Sequence, residues 1–164
     1  MSDSRPSAAS SATRGVVWIL AAAIVLPHEL AHALVARLAG LSPTVEILPQ
    51  WDGPATPLGR FDAAIGDATP TWVIRAVAVA PLPIHLAVTA GLRLTVAPEG
   101  PLVVPLLLYL AYSASLSGGD VAVCARPTAA RDAGAFVVPA SRWQALPVLT
   151  APVATVAVAA LLLV

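Results

Sequence analysis

The chain has 164 residues, 58% hydrophobic and only 11% charged, with a mean hydropathy of +0.83. A soluble globular domain carries about 25% charged residues, so this composition argues against an ordinary water-soluble domain, and the length suits about four membrane-crossing helices of roughly 20 residues each. Nine basic residues balance nine acidic ones, which leaves no basic surface for phosphates and excludes nucleic-acid binding; the single cysteine, Cys124, cannot form an internal disulfide or a thiolate metal site, so any metal must take His and carboxylate ligands.

Residues Met1 to Arg14 are rich in Ser and Ala without an apolar period, and are expected to form a disordered tail. The segment from Gly15 to Gly40 is long enough to cross a bilayer of about 30 Å, and the first span is placed at about 16–39. A signal peptide is the competing interpretation, because Arg14 precedes Val16 to Leu26 and Ala31-His32-Ala33 imitates a cleavage site. Apolar helical sequence nevertheless continues past that point to Leu38. Leu41 to Thr69 is a connector, broken by Pro43, Pro49, Pro54, Pro57, Gly53 and Gly59. Within it Thr44-Val45-Glu46-Ile47-Leu48 alternates polar and apolar side chains, which predicts a short strand and a small hairpin. A second span is expected at 71–94, kinked at Pro81 and Pro83. The third, 101–125, passes through Ser117-Gly118-Gly119-Asp120, and the fourth occupies 145–164.

The expected fold is an all-α membrane protein of about four transmembrane helices, with a short β-hairpin after the first and residues 15–164 forming one polytopic domain. Arg37, Arg60, Arg75, Arg126, Arg131 and Arg142 fall on one side and Arg5, Arg14 and Arg93 on the other. By the positive-inside rule this places the N-terminus outside and the loops after the first and third spans in the cytoplasm. The expected setting is a prokaryotic cell membrane. Trp18, Trp72 and Trp143 fall near span ends and are expected to anchor at the membrane interface.

The first span contains His28-Glu29-Leu30-Ala31-His32, an H-E-x-x-H pattern. Histidines four residues apart are separated by about 40° around a helix and can share one ion, while Glu29 projects beside them to take a proton from water. Ionisable groups in a transmembrane segment cost about 2.5 to 3.5 kcal/mol each by insertion scales, so they usually mark a function. The plain alternative is a polar cluster that joins helices by hydrogen bonds. A third ligand is needed, and Asp120 and His85 are the candidates. Along their spans His28 to His32 lie about 18 to 24 Å in and Asp120 about 28 Å, in the same direction, whereas His85 lies about 21 Å from the opposite end. Depth favours Asp120, whose alternative role is a helix cap on the following VAVC segment. Gly118-Gly119 is expected to open the third helix near the ion, and one of Ser113, Ser115 and Ser117 to orient Asp120. Tyr109 and Tyr112 are expected to pack along a helix seam. Arg75 is a candidate helper for an oxyanion.

The H-E-x-x-H helix, the following strand-like polar segment and an Asp two helices later resemble the intramembrane zinc metalloproteases of the site-2 protease family. They are also similar to small zincin-type membrane peptidases that pair such a helix with a Ser-Gly-Gly-Asp motif. The similarity spans about Val16 to Cys124, although site-2 proteases usually place the Asp before its glycines. The resemblance implies Zn2+ held by His28, His32 and Asp120, with Glu29 catalytic, and a membrane-protein or peptide substrate that pairs with the Thr44 to Leu48 strand. The expected function is therefore a zinc-dependent, membrane-embedded peptidase. The rival is a zinc-binding membrane scaffold or metal-handling protein that does not cut.

Overall fold

In the computed structural model, which describes residues 8–50, 57–138 and 150–163, one long helix, α1 (Ala8–Leu38), touches most of the other elements. It starts inside the stretch assigned by composition to a tail. Ala8, Ala9 and Ala12 are strong helix formers, and extending a helix by a turn costs far less than nucleating one. The first seven residues of the expected tail lie outside the described residues.

From Ala21 to Ala36 the buried positions of α1 recur at helical spacing: Ala21, Ala22, Val25, His28, Glu29, Ala31, His32 and Ala36. Val17, Leu20, Ile24, Leu34 and Leu38 are exposed, an apolar outer face that suits hydrocarbon better than water. Pro27 interrupts the ladder. It has no N–H to give to the carbonyl of Ala23 four residues back, and the Tyr109 hydroxyl supplies that bond at 3.0 Å. Tyr109 is thus a cross-helix strut, more specific than the seam contact expected for it.

The connector forms the predicted hairpin. Strand β1 (Pro43–Ile47) pairs antiparallel with β2 (Gly59–Ala63), with Val45 opposite Phe61. Both strands pack on α1. Helices α2 (Thr71–Val79) and α3 (Pro81–Thr95) then meet at 47°. The break belongs to Pro81, because Pro83 sits in the first turn of α3, where its missing N–H has no helical partner to lose.

A 3-10 turn (Gly100–Leu102) leads into α4 (Val103–Ala114), followed by α5 (Gly118–Ala125) and α6 (Pro127–Ala133). The expected opening at Gly118-Gly119 is displaced: the helix breaks at Ser115 to Ser117, and the two glycines form the first turn of α5. Gly134 ends α6 with φ +70°, a left-handed cap that glycine adopts at little cost, and its carbonyl accepts from the Ile65 N–H.

Helix α7 (Ala151–Leu163) packs against α3 and α4 through Ala154, Val158 and Leu162. A second cluster joins α2, α5 and α6 through Ile74, Ala122, Val123 and Ala130.

The protein is mostly helical, with one two-stranded sheet. Gly15–Leu38 and Gly100–Ala125 are long and apolar enough to cross a membrane, and the bent α2–α3 pair makes a third stretch if counted as one. The expected fourth span is described only in part. Its described part, α7, has 13 residues and reaches only about 20 Å against a hydrocarbon core of about 30 Å; residues 145–149 lie outside the described residues. Trp18 is exposed near the start of the Gly15–Leu38 stretch and Trp72 near the start of α2, as interfacial anchors would be, and Trp143 lies outside the described residues.

The Pro27–Tyr109 pairing can be tested by a double-mutant cycle. Tyr109→Phe should destabilise the protein by about 1 kcal/mol, as one lost hydrogen bond does. In a Pro27→Ala background, where residue 27 regains its N–H, the same change should cost less; thermal unfolding in detergent reads both values.

Candidate metal centre

The H-E-x-x-H segment lies one residue after Pro27, on the buried face of α1. His28, Glu29 and His32 line a cavity of ≈ 440 Å³ together with Asp120, Tyr112 and the β2 residues Gly59 and Phe61.

Each imidazole is held from behind by a backbone carbonyl. His28 Nδ1 donates to the Ser113 carbonyl at 3.1 Å, and His32 Nδ1 to the Val77 carbonyl at 2.7 Å. Neither acceptor is accidental. Val77 lies in the last turn of α2, where its carbonyl accepts from the Ala80 N–H at 3.2 Å, and its second helical donor, four residues on, would be Pro81, which has no N–H. Ser113 lies in the last turn of α4, where the break at Ser115 ends the ladder. Both carbonyls therefore have acceptor capacity to spare.

With the proton on Nδ1, a neutral ring presents a lone pair at Nε2. The two Nε2 atoms stand 3.2 Å apart. Asp120 completes the group, with Oδ2 3.4 Å from His28 Nε2 and Oδ1 3.2 Å from His32 Nε2. The ligating atoms all lie within 4.8 Å of one another, so His28, His32 and Asp120 could hold a metal ion. Three acceptors turned toward one point repel unless a cation lies between them.

Asp120 is fixed by a capping box. Its backbone N–H donates to Ser117 Oγ at 3.1 Å, and its Oδ2 accepts from the Ser117 N–H at 2.7 Å. Capping and convergence on the histidines are thus compatible roles for one carboxylate. Of the three serines, Ser117 is the one that orients it. Ser115 Oγ donates to the Ala111 carbonyl, and Ser113 Oγ is buried without a hydrogen-bond partner among the described residues.

His85 takes the other course. It is buried in α3, its Nδ1 donates to the Pro81 carbonyl at 2.8 Å, and it stands outside the His28–His32–Asp120 group. Arg75 is turned away as well, since its Nε donates to the Cys124 carbonyl and the residue does not line the cavity.

Three contributors were not anticipated from the sequence. The Phe61 ring stacks on His32 with centroids 5.3 Å apart. Its backbone N–H is turned toward the Glu29 carboxylate. The register explains this, because Leu48 and Leu58 form a hydrogen-bonded pair three residues away, which leaves the Phe61 N–H pointing away from β1. Gly59 allows the approach: a Cβ there would stand 2.8 Å from Val25 Cγ1 and 3.2 Å from Glu29 Cγ. The strand facing the cavity is accordingly β2, while the substrate-pairing role had been expected of the Thr44 to Leu48 segment in β1. The third contributor is Tyr112, which lines the cavity from the last turn of α4.

Comparisons with protein-family models, with curated proteins and with solved structures return no match for this chain.

Two outcomes are expected. His28→Ala, His32→Ala and Asp120→Ala should each deplete the divalent metal that co-purifies with the wild type, measured by plasma emission spectrometry; equal metal in all four proteins would reject the centre. Gly59→Ala should destabilise the fold by about 1 to 3 kcal/mol, as overpacking does, and should speed hydrogen exchange at the Phe61 amide as β2 is pushed off α1.

Proposed function

We propose that this is a multi-pass, membrane-embedded zinc peptidase of the site-2 protease type, with His28, His32 and Asp120 as ligands and Glu29 as general base. The observation that carries the proposal is the convergence of two carbonyl-backed Nε2 atoms and a capped carboxylate, with the Glu29 carboxylate in the same cavity.

The donor set fits zinc. Tetrahedral Zn–N and Zn–O bonds of about 2.0 to 2.1 Å require ligand atoms about 3.3 to 3.4 Å apart. The two Nε2 atoms stand 3.2 Å apart, and the Asp120 carboxylate approaches both rings, with Oδ2 3.4 Å from His28 Nε2 and Oδ1 3.2 Å from His32 Nε2. Two imidazoles and one carboxylate also leave a fourth position for the reaction. When bound, zinc supplies the Lewis acidity that brings the pKa of water toward about 7 and polarises a carbonyl.

The chain's own residues do the rest. Glu29 takes a proton from water as the oxygen adds to the scissile carbonyl carbon, and returns it to the amide nitrogen as the C–N bond breaks, releasing an amine and a carboxylate. The Phe61 N–H and the contact with Gly59 hold the Glu29 side chain at the cavity wall. Gly59, Phe61 and the adjoining Leu58 form the ledge along which an extended substrate segment would lie.

The deciding variant is Glu29→Gln. It should keep zinc at wild-type stoichiometry and reduce peptide hydrolysis by at least about a hundredfold, the scale of lost general-base catalysis. The assay is turnover of a membrane-protein substrate in detergent or proteoliposomes. A non-cutting zinc scaffold would show no zinc-dependent hydrolysis in the wild type, and full turnover by Glu29→Gln would remove Glu29 from the mechanism.

A further inference from the structure

Hydrolysis at this centre places negative charge on the former carbonyl oxygen, and a preorganised hydrogen-bond donor facing that oxygen is among the most effective contributions a protein can make. Arg75 is spent on Cys124. Among the other polar side chains lining the cavity, the Ser115 hydroxyl donates to Ala111, Ser117 Oγ accepts from the Asp120 N–H as the cap of α5, and Arg60 is paired with Asp62 on the hairpin. The imidazole N–H groups are already committed to carbonyls.

Tyr112 differs from all of these. It lines the cavity with Glu29, His28 and Asp120, remains 40% exposed, and makes no side-chain hydrogen bond among the described residues. It is also fixed relative to the ligands. The residue after it, Ser113, gives the carbonyl that holds His28, and Tyr109 one turn earlier is tied to α1 at Ala23. A phenol is a neutral donor, so it can face both a polarised carbonyl and the Glu29 carboxylate without the desolvation cost of a second cation.

We infer that Tyr112 is a catalytic residue, its hydroxyl donating a hydrogen bond to the scissile carbonyl oxygen as that oxygen becomes tetrahedral and negative. No proton is transferred from the phenol; the bond strengthens as charge develops and relaxes when the C–N bond breaks. This role rests on the peptidase reading above and adds a residue to it.

The test uses Zn2+-loaded full-length protein in detergent and two probes, with affinities measured by calorimetry. N-phosphoryl-Leu-Trp carries a tetrahedral, anionic phosphoryl group, and its counterpart carries a thiol in place of that group. Tyr112→Phe should keep wild-type zinc stoichiometry and weaken the phosphoryl probe by about tenfold or more, the scale of one hydrogen bond to a charged acceptor. The thiol probe should change by less than about twofold. Unchanged phosphoryl affinity, equal losses for both probes, or a zinc-loaded wild type that binds neither would overturn the role of Tyr112 while leaving the metal centre standing. A wild type that takes up no zinc would instead remove the peptidase reading, and this role with it.

Discussion

The centre depends on backbone carbonyls that helix breaks have released. Inside apolar surroundings a carbonyl without a partner is costly, so each interruption of a helix creates an acceptor that some donor must satisfy. Three such acceptors are used here. Pro27 releases Ala23 to the Tyr109 hydroxyl, Pro81 leaves the Val77 carbonyl, which also accepts from the Ala80 N–H, with a lone pair for His32, and the break after Ala114 releases Ser113 to His28. The first joins α4 to α1 beside the site. The other two set the orientation of both imidazoles, turning Nε2 toward a shared point.

The same economy governs Asp120. A short helix beginning inside the protein needs its first N–H groups satisfied, and the Ser117–Asp120 box does this while leaving carboxylate oxygens near both imidazoles. Gly118 and Gly119 precede the acid for a local reason: they occupy the first turn of α5, so Asp120 arrives at the third helical position, where a carboxylate can reach back to the cap. The hairpin closes the remaining side. Its apolar positions rest on α1, and the bare backbone at Gly59 brings β2 close enough for Phe61 to meet both His32 and Glu29.

Several features were legible because they rest on local periodicity or on residues with narrow conformational limits. The H-E-x-x-H spacing places His28 and His32 on one face of any helix that contains them. Proline at 81 announces the bend, and alternation from Thr44 onward announces a strand. Depth along the spans separates Asp120 from His85, because rise per residue is the same in every helix. The limits arise where helix ends were inferred from composition. Gly118-Gly119 looked like a break but belongs to a helix, since two glycines in a first turn leave no mid-helix ladder to weaken. Of the span expected at 145–164, residues 151–163 form α7, and residues 145–149 lie outside the described residues.

By itself the sequence determines the candidate ligand types, their spacing on α1, the presence of an acid beside them and the apolar stretches that carry them, all of which follow from composition and helical period. Tertiary structure decided which carbonyls face the imidazoles, that β2 and not β1 meets the cavity, that Arg75 turns away, and that Tyr112 turns in. Those choices depend on contacts between residues far apart in the chain, such as His28 with Ser113 and His32 with Val77. No local pattern encodes them, because the donors and acceptors involved become neighbours only when the helices pack.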